Sequence, residues 1–102
     1  MLSSIPVGLS KVNKENIDKE ILRLGMIAEL DAVNLYEQLA AYTGKTDIKK
    51  VILDIAREEK THMGEFQALL LMLDKQQVKE LEEGKKEVAK ELNQKENSLG
   101  SG

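Results

Sequence analysis

Ile48-Lys49-Lys50-Val51-Ile52-Leu53-Asp54-Ile55-Ala56-Arg57-Glu58-Glu59-Lys60-Thr61-His62-Met63-Gly64-Glu65-Phe66-Gln67-Ala68-Leu69-Leu70-Leu71-Met72-Leu73 decides the fold. Steps of four and three residues along it pick out Ile48, Ile52, Ile55, Glu59, His62, Phe66, Leu69 and Leu73, one stripe of a helix. All but two of these are large and apolar. The exceptions are Glu59 and His62, the only histidine among 102 residues. Glu-x-x-His on a helix sets a carboxylate and an imidazole on one face, about one turn apart.

The same periodicity runs upstream. Leu22, Met26, Glu29, Val33, Tyr36 and Ala40 form a seam whose one charged member is Glu29. A helix is expected from a cap at Asn13 or Asn16 to about Tyr42. Thr43-Gly44-Lys45-Thr46 breaks it, with Gly44 suited to a left-handed position and Thr46 or Asp47 to the next N-cap. A second helix is expected over about Ile48–Leu73. A third, thinner in apolar content, should follow Asp74 from Gln76 to about Asn93, with Val78, Leu81, Val88 and Leu92 as a narrow stripe for packing. Residues 1–13 read as an irregular arm, 14–96 as one helical domain and 97–102 as a Gly-Ser tail or linker.

Glu29 lies fifteen residues before Gly44 and Glu59 fifteen after it. In an antiparallel hairpin such residues share one height, here about 22 Å from the turn. Glu29, Glu59 and His62 should therefore converge on one level of one seam. An unpaired charge buried in an apolar stripe costs several kcal/mol, so three polar groups meeting there need a common cause.

Composition narrows the cause. Charged residues make up 32% of the chain, but they balance to a net charge of -3, which gives no electrostatic case for nucleic acid or an anionic membrane. No apolar run approaches the ~20 residues that span a bilayer. The start lacks a basic region and is broken by Pro6 and Gly8, so it does not read as a signal peptide, and the chain reads as cytoplasmic. There is no cysteine, hence no thiolate zinc or iron–sulfur site. A metal would bind through oxygen and the imidazole, favouring iron, manganese or zinc.

One reading of the cluster is structural: polar residues in a helical seam fix register and oligomeric state, or hold zinc without turnover. The other is a metal centre. Ferritin-like di-iron bundles need two lone glutamates and two Glu-x-x-His pairs spread over four helices. This chain supplies half, and a two-fold axis through the seam would supply the rest. The charge of the four carboxylates then matches that of two ferrous ions. Without metal some of the crowded carboxylates should be protonated. The expected fold is all-α: an antiparallel two-helix hairpin with a shorter third helix, completing a ferritin-like four-helix bundle by dimerisation.

Ala28-Glu29-Leu30-Asp31-Ala32-Val33-Asn34-Leu35-Tyr36 followed by Glu58-Glu59-Lys60-Thr61-His62 resembles the encapsulated ferritins, ferritin-like proteins housed within encapsulin shells. The resemblance covers roughly residues 15–75. It looks most like the short domain that some archaea carry fused ahead of the shell protein. It implies a ferroxidase that oxidises Fe(II) with O₂, with Glu29, Glu59 and His62 as ligands and catalytic groups, and one iron per chain, two per dimer. It implies Tyr36 beside the site, a homodimer assembling into a decameric ring, and an encapsulin compartment that stores the mineral. The family's acidic metal-uptake cluster is reduced here, with Ala28 at one position and Asp31 at the other. A rubrerythrin-like peroxidase is the other enzyme reading. It fits less well, since such sites are richer in carboxylates and accompany a cysteine-bound iron.

Overall fold

The structure is a computed structural model that describes Gly8 and residues 13–92. Three helices follow one another: α1 (Lys14–Tyr42), α2 (Thr46–Leu73) and α3 (Lys75–Glu91). No strand occurs among the described residues. The rest of the arm expected over residues 1–13, the tail over 97–102 and the end of the third helix at Asn93 lie outside the described residues.

Asn13 caps α1 with its backbone, since its carbonyl accepts from Asn16 N at 2.9 Å and its side chain makes no capping bond. At the other end Thr43 N donates to Leu39 O at 3.2 Å, and Thr43 itself turns extended (φ −70°, ψ 140°). That exit differs from the expected one. Gly44 does not take a left-handed conformation, because the extended Thr43 already stops the helix. Thr43 Oγ1 accepts from Lys45 N at 3.2 Å, and the Lys45 carbonyl accepts from Lys49 N at 3.0 Å. Lys45 thus stands where Thr46 or Asp47 was expected, and α2 begins two residues before Ile48. Asp47 sits in the first turn, where the helix dipole favours an anion.

The chain divides into two compact units, Met1–Leu70 and Leu71–Gly102. In the first, α1 and most of α2 form the hairpin. Its buried residues are Val33, Ala40, Ala56 and Leu70. Two are alanines, which let the helices approach closely. At Gly25 the contact is tight: a Cβ there would stand 2.7 Å from the Phe66 ring. This core is thin. Ile48, Val51 and Leu69, on one side of α2, remain substantially exposed, as do Ile21 and Leu39, five turns apart on α1. Burying one such side chain fully is worth about 1.5–3 kcal/mol, so the hairpin keeps an apolar side it has not used.

In the second unit, Asp74 Oδ1 accepts from Gln77 N at 2.9 Å and caps α3. Asp74 opens the third helix as its position before the apolar stripe suggests. Val78, Leu81, Val88 and Leu92 are all substantially exposed, and Ala89 is buried. Among the described residues, no helix is long and apolar enough to cross a membrane.

Candidate metal centre

The hairpin brings Glu29 of α1 to the level of Glu59 and His62 of α2. One ligand atom from each lies within 4.8 Å of the others, a spread that one cation could span. His62 Nδ1 stands 3.5 Å from Glu29 Oε2 and 3.6 Å from Glu59 Oε2. These separations exceed a strong charge-assisted hydrogen bond, so the groups surround a point more than they pair. Both glutamate side chains are only 19% exposed, while His62 is 45% exposed.

Glu29 Oε2 is buried and has no hydrogen-bond partner, the condition that folded proteins avoid unless something else satisfies the group. Its carboxyl group titrates above the ordinary value of 4.5. A proton shared with the Glu59 carboxyl raises it most; burial and repulsion from Glu59 add to this, and His62 pulls the other way. Two carboxylates held together at the edge of an apolar seam resist simultaneous ionisation, and a divalent cation would remove that conflict. The donor set of two carboxylates and one imidazole suits iron, manganese or zinc. A buried oxygen without a hydrogen bond, among converging ligand atoms, fits a metal.

The sites expected from sequence divide into two groups. Glu29, Glu59 and His62 come together. Tyr36 lies on the same seam as Glu29 and is half-buried, but it is two turns along, about 10 Å at 1.5 Å per residue. Asp31 is also half-buried, and at two residues from Glu29 it points from the far side of α1. It does not join the cluster.

The structure adds residues that sequence reasoning passed over. A groove of about 360 Å³ is lined by Glu29, His62, Glu65, Phe66 and Leu69. Glu65 reads in the sequence as a solvated charge off the seam. It is exposed, yet it borders this groove, and its place three residues after His62 is the signal that could have found it.

Comparison with known proteins follows the same lines. A family model for rubrerythrin matches residues 20–99. The fold is similar to the crystal structure of the encapsulated ferritin domain from Pyrococcus furiosus, with a TM-score of 0.74 and 48% sequence identity, over 85% of this chain and 94% of that one. The chain belongs to the encapsulated ferritins, with a rubrerythrin-type fold. It is also similar to the ferritin-like–encapsulin shell fusion protein of the same organism, 63% identical over 73 residues, 72% of this chain and 21% of that protein. A third relative is the encapsulin nanocompartment cargo protein EncC of Myxococcus xanthus, 35% identical over 71 residues, 67% of this chain and 55% of that protein. The chain thus spans about a fifth of the length of the first curated relative and about half of the second.

Proposed function

We propose that this chain is a ferroxidase that oxidises Fe(II) to Fe(III) with O₂ at a centre shared by two copies. The observation that carries the reading is the convergence of Glu29, Glu59 and His62 around a buried Glu29 oxygen that accepts no hydrogen bond.

Two hairpins facing each other across a two-fold axis, on the apolar side left bare by Val51 and Leu69, make a four-helix bundle. They also bring two Glu-x-x-His pairs and two lone glutamates to one level. Fe(II) is the substrate, one ion per chain. Glu29 and Glu59 hold it through carboxylate oxygen and His62 through ring nitrogen. Each ferrous ion gives up one electron, and O₂ is the acceptor. Protons compete with a cation for the Glu29 carboxyl, which titrates above its ordinary value, so loading should weaken as pH falls. Tyr36 reaches the neighbourhood of the centre from the partner chain, and Asp31 serves metal uptake from the outer side of α1.

In this reading the dimers join into a ring of ten chains within an encapsulin compartment in the cytoplasm, where the shell stores the ferric mineral. The names of the relatives support that setting, since one is a shell fusion and another a nanocompartment cargo protein. The other enzyme reading, a rubrerythrin-like peroxidase, gives a second oxidant to compare, hydrogen peroxide.

The test is Fe(II) oxidation in air, followed by the rise in ferric absorbance. The protein should outrun buffer, His62→Ala should erase the gain, and O₂ should serve at least as well as peroxide. Equal rates with and without protein would refute the enzyme reading and leave the cluster a register-setting or zinc-holding device.

A further inference from the structure

We propose that Phe66, seated on Gly25, is a positioning residue of the metal centre: its ring is the apolar wall that sets the width of the groove beside Glu29 and His62. The inference rests on the metal-binding reading above.

Gly25 lies one turn before Glu29 on α1, and Phe66 one turn after His62 on α2. The pair is therefore the rung next to the candidate ligands. A Cβ built on Gly25 would stand 2.7 Å from Phe66 Cδ1 and Cε1 and 2.9 Å from Cζ, closer than real side chains come. Three consecutive ring carbons thus lie against the bare α-carbon. Nothing in the backbone requires glycine here, because Gly25 has ordinary helical geometry inside α1. A mid-helix glycine is less favourable than alanine, so its presence here calls for a reason. Gly64 and Gly84 are also helical, but a Cβ on either meets nothing within 4 Å. Gly25 is the one of the three whose missing side chain makes room for something.

The room is taken by a ring that also lines the groove with Glu29 and His62. Phe66 offers no ligand atom. It fills space that water would otherwise occupy next to the carboxylates, and it fixes how near solvent comes to a bound cation. Lower local polarity strengthens the attraction between cation and carboxylates. Outer residues that hold metal ligands in place typically govern about 10- to 100-fold of affinity.

The test uses Co(II) as the probe, because its visible bands report coordination geometry and weaken as water ligands raise the coordination number. Gly25→Ala should keep helix content by circular dichroism yet bind Co(II) about 10- to 100-fold more weakly with shifted bands, since the added methyl drives the ring into the groove. Phe66→Leu should bind with weaker bands. Gly25→Ala combined with Phe66→Leu should return to the level of Phe66→Leu alone, because the narrower side chain accepts the methyl. Unchanged affinity and bands in Gly25→Ala overturn the proposal, and so does a folded double variant no better than Gly25→Ala. Should Gly25→Ala fail to fold, unchanged bands in Phe66→Leu overturn it alone. Failure of the unmodified chain to bind Co(II) would instead remove the metal reading itself, and this inference with it.

Discussion

Replacing Glu29 by glutamine should make the metal-free protein more stable and the metal-loaded protein less so. In the structure Glu29 is mostly buried, its Oε2 has no hydrogen bond, and it faces Glu59. A buried polar atom left unpaired costs about 1–3 kcal/mol. Glutamine keeps the shape, removes the charge and can donate to Glu59, so a gain of about 1 kcal/mol is expected. For a domain of this size that raises Tm by about 4–8 °C. The pH dependence has a definite sign. Because the folded-state pKa of Glu29 is raised, its protonated form stabilises the fold at pH values below the ordinary 4.5, and that contribution is lost as pH rises through the raised value. The advantage of glutamine should thus be present near neutral pH and vanish in acid. Metal reverses the order. A ligand at 100 times its Kd stabilises by about 2.7 kcal/mol, which the wild-type chain gains and Glu29→Gln largely forgoes. Thermal unfolding by circular dichroism, anaerobic, at one protein concentration, with and without Fe(II), reads all of this. A metal-free variant that melts below wild type at neutral pH, or an equal rise with iron in both, would refute the reasoning.

Two further outcomes bear on the assembly and the third helix. Val51 is 60% exposed on the bare side of α2, so Val51→Glu in an isolated hairpin should change stability by less than about 0.5 kcal/mol; if a second copy covers that side, the buried charge should cost several kcal/mol and the solution mass should fall to that of one chain. Gly84 lies inside α3 with open space around it, so Gly84→Ala should add about 1 kcal/mol, visible as a rise of a few degrees in Tm; a fall would show that something approaches this position.

The helices and the convergence of Glu29, Glu59 and His62 were legible because two local facts suffice for them. A period of 3.6 fixes which residues share a face, and one strong break fixes the register of an antiparallel pair. The turn was not legible in detail. Thr43 and Gly44 can each end a helix, and the choice fell to Thr43 because its extended backbone leaves its hydroxyl within reach of Lys45 N. Phe66 reads in sequence as one more apolar member of the stripe. Its seat on Gly25 depends on how far α2 is rotated about its own axis, which side-chain spacing along one helix does not reveal. Glu65 was missed for the same reason: it is off the seam by periodicity, yet the rotation of α2 carries it to the rim of the groove.

The central claim is a metal centre divided between two copies of this chain, and an anaerobic Fe(II) titration read together with solution mass tests it most directly. Saturation is expected at one iron per chain, with dimers or multiples of dimers forming as iron binds. No binding, or weak binding that Glu59→Ala leaves unchanged, would contradict it.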